Sequence, residues 1–228
     1  MGKAAVLISG TDTGVGKTKI GCELARLLSG QGLRVAVMKP AETGCVVRGD
    51  ELEPADALAL RQASECRANL DTICPFRYST PVAPAVAAQM EGRAEPSFDV
   101  IEECFQSLKA FHDIVLVEGA GGIAVPIAWG KDYADLAARL GSQLILVVGN
   151  RLGCLNSAVL SLSYAKNKGV PILGYVLNDI EAQPTPASLS NAASLSRLVS
   201  ERCLGRVSYQ GTLSQESVDK MLSVLGLR

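Results

Sequence analysis

Short apolar runs of strand length recur along the chain, and segments with helical periodicity separate them. Five runs are rich in β-branched residues or leucine: AAVLIS (4–9), RVAVM (34–38), DIVLVE (113–118), QLILVV (143–148) and ILGYVLN (172–178). Such runs have no polar face, so both faces of each strand must be covered, as is typical of parallel sheets. Alternation of strands and helices predicts an α/β fold with a doubly wound, mainly parallel sheet and helices on both faces.

The composition agrees with this fold and limits the classes of function. Aromatic residues make up 4% of the 228 residues, so the core must be aliphatic. The chain has 22 basic and 23 acidic side chains and no basic block, which does not favour a nucleic-acid or membrane-surface partner. The first apolar run is too short for a signal peptide, and no segment approaches the roughly 20 apolar residues of a membrane span. We therefore expect a cytoplasmic protein.

Two segments interrupt the alternation of strands and helices. Residues 74–97 are rich in proline, which predicts a long surface excursion with a short helix. EAQPTPASLS (181–190) predicts a loop or a partly mobile connection. Neither segment marks a change of composition, so we expect one domain over residues 1–228.

The stretch GTDTGVGKT (10–18) lies between the first apolar run and a helical pattern. Phosphate-binding loops present backbone N–H groups and a helix N-terminus to the anion, and their standard form is Gly, four residues, then Gly-Lys-Ser/Thr. The Gly-Lys-Thr ending is intact, but Thr11 stands where the first glycine is expected, and Gly10 precedes it. We expect Lys17 to contact the β- and γ-phosphates of a nucleotide and Thr18 to place its hydroxyl on Mg²⁺. A glycine-rich turn without a ligand is the alternative.

Charged residues stand at the ends of two apolar runs. Lys39 follows RVAVM, at the carboxyl edge of the predicted sheet, where doubly wound folds bind ligands. Glu118 closes DIVLV, and a carboxylate there is costly to bury unless a cation or hydrogen-bond donors offset it. Because Mg²⁺ binds carboxylate, hydroxyl, phosphate and water oxygens, Glu118 fits a magnesium site. For Lys39 the alternative is a solvated lysine at a strand end.

Further motifs follow in order along the chain. They are KPAETG (39–44), PADALAL (54–60), VEGAGG (117–122), VVGNRLGCLN (147–156) and VLND (176–179). Together with GTDTGVGKT they resemble the motifs of the dethiobiotin synthetase family, whose phosphate loop deviates from the standard form in the same way. The match covers roughly residues 5–180 and weakens beyond them, since VSYQGTLSQES (207–217) is not a clear copy of the family's adenine-binding loop.

The resemblance implies an ATP- and Mg²⁺-dependent cyclo-ligase that joins CO₂ to 7,8-diaminononanoate and acts as a homodimer. One substrate amine captures CO₂ as a carbamate, and the carbamate oxygen attacks the γ-phosphate of ATP. The second amine then displaces phosphate and closes a cyclic urea. Two anions must meet in this reaction, so positive charge and metal are needed more than a strong base.

The resemblance also assigns the site residues in four groups. The catalytic residues are Lys39, Lys17 and Thr13. The nucleotide-binding residues are Thr13, Gly14, Val15, Gly16, Lys17, Thr18, Glu118, Gly119 and Asn178, of which the asparagine reads the adenine ring. The magnesium ligands are Thr18, Asp56 and Glu118. The substrate-binding residues are Lys39 and Thr43, with Gly153, Cys154, Leu155 and Asn156 supplied by the other subunit to bind the substrate carboxylate.

From the residues alone, several of these assignments have structural alternatives. Asp56 is equally expected at the start of a helix, and Asn178 in a turn after a strand. Helix N-termini such as the one predicted at 153–156 are common and bind anions without being specific for one. Asp12 is interpreted as a residue that orders the phosphate loop through its own backbone hydrogen bonds.

Other function classes fit the sequence less well. A partitioning or positioning ATPase of the same deviant-loop superfamily usually carries a lysine early in the loop, where this chain has Asp12. A GTPase switch needs Asn-Lys-x-Asp for guanine, but Asn167-Lys168 is followed by Gly-Val. An amidoligase domain of a larger synthase would be accompanied by a glutamine-hydrolysing domain, and the length does not favour one.

Overall fold

The computed structural model describes residues 3–227, so residues 1, 2 and 228 of the predicted domain lie outside the described part. Within it, the strands in chain order are β1 (Ala4–Gly10), β2 (Val35–Met38), β3 (Ala41–Glu42), β4 (Val46–Arg48), β5 (Glu51–Glu53), β6 (Phe76–Arg77), β7 (Ile114–Gly122), β8 (Pro126–Ala128), β9 (Lys131–Asp132), β10 (Gln143–Gly149), β11 (Ile172–Asn178) and β12 (Cys203–Val207). The helices are α1 (Lys17–Gly30), α2 (Ala55–Ser64), α3 (Leu70–Ile73), α4 (Pro84–Met90), α5 (Phe98–Phe111), α6 (Tyr133–Leu140), α7 (Cys154–Asn167), α8 (Pro186–Leu198) and α9 (Gln215–Leu225).

A parallel sheet with the strand order β12-β11-β10-β1-β7-β2 forms the centre of the fold. All five predicted apolar runs lie in it, so the predicted α/β sheet is confirmed. The sequence does not predict the edge strand β12, because Leu204 and Val207 are its only fully buried residues and leave no continuous apolar run. The strand β7 continues past Glu118 to Gly122, further than predicted.

Helices cover both faces because the chain reverses its direction of progress across the sheet. It moves from β1 towards β2 on one side, and from β10 through β11 to β12 on the other. Right-handed connections therefore place α1 on one face and α7 and α8 on the opposite face. Consistent with this, α1 packs against α2 and α9, whereas α7 packs against α8 and α5 against α6. Ligands of such sheets bind outside the carboxyl ends of the strands near the reversal, here beside β1.

The two irregular segments have more structure than a loop. Residues 74–97 contain the predicted short helix, α4. The prediction of a loop over 181–190 is wrong from Pro186 onward, where α8 begins. The Thr185 hydroxyl accepts the Ser188 N–H at 3.2 Å, and the Ser188 hydroxyl oxygen accepts the Thr185 N–H at 2.9 Å. A threonine followed by proline at the first helical position is a helix-start signal, which the high proline content of the segment obscured.

The core is aliphatic, as the composition predicts. Val6, Leu7 and Ile8 of the central strand are fully buried, and the neighbouring strands β7 and β10 contribute valines, leucines and isoleucines around them. This packing fixes the strand ends from which the site residues extend. Among residues 3–227, no helix is long and apolar enough to cross a membrane.

Candidate active site

The phosphate loop connects the end of β1 to the start of α1. Gly16 has a φ of 94°, a left-handed conformation that favours glycine. Gly10 is required for a different reason: a Cβ there would lie 2.7 Å from Val15 Cγ2 and 2.9 Å from the Asp12 carbonyl oxygen. The loop folds back over the strand end at Gly10, so glycine is required at this position, one place earlier than in the standard motif.

Lys17 is the first residue of α1 and is buried under the loop. Its ammonium donates a hydrogen bond to the Asp12 carbonyl oxygen at 2.9 Å. Burial, together with the nearby charge of Lys39, lowers the pKa of Lys17. An ammonium has three donors, and a phosphate would relieve both unfavourable effects, so this lysine is suited to anion binding.

Four predicted residues meet beside the loop and form what we call the charged cluster: Thr18, Lys39, Asp56 and Glu118. Lys39 Nζ donates to Glu118 Oε1 at 2.5 Å and to Asp56 Oδ2 at 2.9 Å, and Thr18 Oγ1 donates to Glu118 Oε1 at 2.8 Å. The side chains of Lys39 and Glu118 are 3% and 1% exposed. Burial disfavours the charge on Lys39, but the two carboxylates outweigh it and raise the lysine pKa above its ordinary value. Lys39 is therefore a permanent cation at the carboxyl edge of the sheet.

The cluster offers oxygen ligands that its own residues do not satisfy. Glu118 Oε2 is buried and has no hydrogen-bond partner among the described residues. Such an atom is costly unless a cation or a donor reaches it. Within residues 3–227 no group of three His, Cys, Asp or Glu side chains is arranged as a metal site. The pair of carboxylates with a threonine hydroxyl instead suits Mg²⁺, which binds through one or two carboxylates together with substrate phosphates.

A cavity of about 530 Å³ opens above the cluster and the phosphate loop. The predicted residues that line it are Thr13, Gly14, Gly16, Lys17, Thr18, Lys39, Thr43, Asp56 and Glu118. Residues not predicted complete its walls, among them Glu42 and the segment 81–83. The proline-rich composition of 74–97 indicated an excursion from the fold but not that part of it returns to the cavity.

Three predicted nucleotide-binding residues lie behind the cavity wall. Asn178 and Val15 are buried, and Asn178 Nδ2 donates to the Val15 carbonyl oxygen at 2.8 Å. The Asn178 Oδ1 atom is buried without a partner among the described residues. Gly119 packs against the Tyr133 ring, and its carbonyl oxygen accepts a hydrogen bond from Lys39 at 3.4 Å. Asn178 thus supports the phosphate loop from the side, at the strand next to β10.

The predicted substrate-carboxylate site at the start of α7 does not line the cavity within the described chain. Gly153 precedes the helix with a φ of 91°, and Cys154, its first residue, is buried. Leu152 projects outward and is 87% exposed. Arg151 extends from this region to the phosphate loop, where its guanidinium contacts Asp12 Oδ2 at 2.6 Å.

Comparison with known proteins identifies the family. A family model described as an AAA domain matches residues 4–217. The chain is 37% identical to the ATP-dependent dethiobiotin synthetase BioD of Anaeromyxobacter sp. (strain K), over 98% of this chain and 97% of that protein. It is 35% identical to the protein of the same name from Thermodesulfovibrio yellowstonii, over 95% of this chain and 93% of the relative.

Solved structures agree on the fold at much lower identity. The septum site-determining protein MinD from Pyrococcus horikoshii, complexed with Mg-ADP, aligns with a TM-score of 0.59 and 18% identity over 100% of this chain and 97% of that one. A ParA family ATPase from Chlorobium tepidum aligns with a TM-score of 0.56 and 18% identity over 99% and 94%. These likenesses concern the fold alone, whereas the sequence relatives are 35% and 37% identical over nearly the whole length of both chains. The chain therefore belongs to the ATP-dependent dethiobiotin synthetase family.

Proposed function

We propose that this protein joins CO₂ to 7,8-diaminononanoate and closes the ureido ring of dethiobiotin, with ATP converted to ADP and phosphate, in the cytoplasm. The observation that carries the proposal is the position of Lys39. Its buried ammonium lies between two carboxylates at the cavity wall, beside the lysine of the phosphate loop. Family membership supplies the reaction, and this geometry supplies the means to bring its two anions together.

The phosphate loop binds the triphosphate. Backbone N–H groups of the loop and the N-terminus of α1 face the phosphates, and Lys17 exchanges the Asp12 carbonyl oxygen for a phosphate oxygen. Thr18, Asp56 and Glu118 would hold Mg²⁺, which when bound supplies charge neutralisation between the β- and γ-phosphates. The unpartnered Glu118 Oε2 supports this ligand set.

Lys39 acts as a cation in the reaction. Since its pKa is raised, it does not take a proton from the substrate amine, and it instead stabilises the carbamate oxygen as that oxygen approaches the γ-phosphorus. A new O–P bond forms and the bond to ADP breaks. The second amine then attacks the carbamate carbon, phosphate leaves, and the amine loses its proton to solvent. Thr43, which also lines the cavity, donates a hydrogen bond from its hydroxyl to the carbamate.

We further propose a homodimer in which the start of α7 binds the carboxylate tail of a substrate held in the other subunit. The free N–H groups of a helix start favour an anion. Gly153 and its neighbours lie outside the cavity of their own chain, and the exposed Leu152 beside them is an apolar surface that a second subunit would cover. An α7 start contributed by the partner would complete the cavity.

A product assay tests the proposed reaction. The purified protein is incubated with Mg·ATP, 7,8-diaminononanoate and ¹³C-bicarbonate, and the products are followed by phosphate release and mass spectrometry. We expect phosphate release to require both the diamine and bicarbonate, and the label to appear in the ureido carbonyl of dethiobiotin. ATP turnover that is unchanged by the diamine would contradict the proposal and favour a partitioning or positioning ATPase.

A further inference from the structure

Glu42 is a buried carboxylate in the cavity wall to which no role has yet been given. It is 5% exposed and belongs to the two-residue strand β3, in which both residues are buried. Its Oε1 accepts the backbone N–H of Asp56 at 2.9 Å, and its Oε2 accepts the backbone N–H of Ala57 at 2.9 Å. Both carboxylate oxygens are therefore used on the first turn of α2.

This arrangement replaces a helix cap that α2 lacks. Pro54 stands at the N-cap position of α2 and offers no side-chain hydrogen bond. The first N–H groups of a helix need acceptors, and a negative charge is favoured beside them. Glu42 meets both needs with its side chain, so the start of α2 is fixed to β3.

The capped residue is one of the charged cluster. The Asp56 side chain extends from the first turn of α2 to Lys39, with Oδ2 2.9 Å from Nζ. On the other side, Glu42 is held by its own backbone, since its carbonyl oxygen accepts the Tyr78 N–H at 2.9 Å. The residue after it is Thr43, which lines the cavity. Glu42 thus joins the strand that precedes Thr43 to the helix that carries Asp56.

We propose that Glu42 is a positioning residue for the magnesium site: by fixing the first turn of α2, it directs the Asp56 carboxylate towards the metal. This inference rests on the proposed function, which assigns Asp56 as a ligand. Outer-shell groups that orient ligands typically change metal affinity by about 10- to 100-fold when removed. Affinity for the metal, and not stability alone, is therefore the property that Glu42 should control.

Metal binding can be measured without turnover. Mn²⁺ replaces Mg²⁺ as the probe, and its binding to the full chain with a non-hydrolysable ATP analogue is followed by electron paramagnetic resonance. We expect Glu42→Ala to lower the affinity for Mn²⁺ by about 100-fold. Glu42→Gln keeps one acceptor oxygen and should lower it by about 10-fold. Binding of the analogue without metal should change little, because its phosphates contact the loop and not α2.

Thr185→Ala is the matched control, since it removes the cap of α8 at a distance from the cavity. It should lower thermal stability and leave Mn²⁺ affinity at the wild-type value. Wild-type affinity in a folded Glu42→Ala or Glu42→Gln protein would overturn the inference, and the glutamine variant decides the question if the alanine variant does not fold. If the wild-type protein itself binds no Mn²⁺ with the analogue, the assigned metal site is wrong and the inference about Glu42 is overturned with it.

Discussion

The charged cluster and the start of α7 lie at the same carboxyl edge of the sheet, but they are built in opposite ways. In the cluster, long side chains contact one another inside the fold, with Lys39 2.5 Å from Glu118. At the start of α7 the polar groups are backbone N–H groups, and Leu152 beside them is exposed. The cluster contains its own counter-charges, whereas the start of α7 presents groups that need an external partner.

Strand order explains this difference. β1, β7 and β2 are neighbours in the sheet, so the residues that follow them converge on one point within a single chain. β10 lies on the other side of β1, and its following helix is on the opposite face from α1. A charged centre can therefore be completed by one chain, while we propose that the start of α7 serves a substrate held in the other subunit.

Replacement of Lys39 by alanine should have the largest effect. We expect dethiobiotin formation to fall by at least about 100-fold, since one preorganised donor at a developing charge contributes on the order of 10²–10³ in rate. Product formation at saturating ATP is the measurement, with the exposed Lys131→Ala as a control of the same type. Near-full activity in a folded Lys39→Ala protein would show that the carbamate lies elsewhere.

Folding must be checked separately for this variant. Removing Lys39 leaves Glu118 buried beside Asp56 without its cation, and breaking a buried pair costs about 3–5 kcal/mol. The double variant Lys39→Ala/Glu118→Gln removes the unpaired charge and should recover much of that stability in urea denaturation. A double variant as unstable as Lys39→Ala would mean that the loss does not come from the uncompensated charge of Glu118.

Much of the cluster could be predicted from the sequence because it depends on strand ends. Lys39 and Glu118 follow continuous apolar runs, and parallel strands place such residues at one edge. Asp56 needed the family resemblance, since an aspartate near a helix start has an ordinary structural explanation. The fold was predictable for the same reason. The prediction failed at β12, where burial is intermittent, and at α8, whose cap lies in a proline-rich segment.

Glu42 illustrates what the sequence did not reveal. Its two hydrogen bonds are to backbone N–H groups, and any residue other than proline at positions 56 and 57 would offer these donors. The available signal is indirect: Pro54 precedes a helix and cannot cap it with a side chain, so an acceptor must come from elsewhere. Which strand supplies that acceptor depends on tertiary structure.

A charge placed at the start of α7 should have an intermediate effect. Asn156→Asp puts a carboxylate in the first turn, where it is favourable for the helix but repels the substrate carboxylate. We expect the KM for diaminononanoate to rise about tenfold, roughly 1.4 kcal/mol, with the KM for ATP unchanged. Asn167→Asp makes the same change at the other end of α7 and should leave both constants near wild type. Equal effects of the two variants would show that the substrate carboxylate does not bind at this helix start.

Mixed dimers extend this test to the subunit interface. Lys39→Ala and Asn156→Asp proteins are mixed, allowed to exchange subunits, and assayed at low diamine concentration. After equal mixing, half of the dimers contain one subunit of each variant. If the α7 start serves the other subunit, one of the two sites in each mixed dimer is intact. About a quarter of the wild-type rate should therefore return. A rate equal to the mean of the two parents would place both residues in one subunit's site.

The contact between the two regions should matter least. Arg151 precedes α7 and contacts Asp12 in the phosphate loop, but their side chains are 44% and 57% exposed, and such pairs contribute between about 0 and 1 kcal/mol. Asp12 Oδ1 also accepts the Thr13 N–H at 2.7 Å, so the loop keeps a hydrogen bond of its own when Arg151→Ala removes the pair. Urea denaturation of the two single variants, Arg151→Ala and Asp12→Asn, and of the double variant should give a coupling below about 1 kcal/mol that shrinks with added salt. A coupling well above that value and insensitive to salt would mean that the phosphate loop and the start of α7 behave as one unit. The contrast between a self-contained charged cluster and a helix start that needs a partner would then no longer hold.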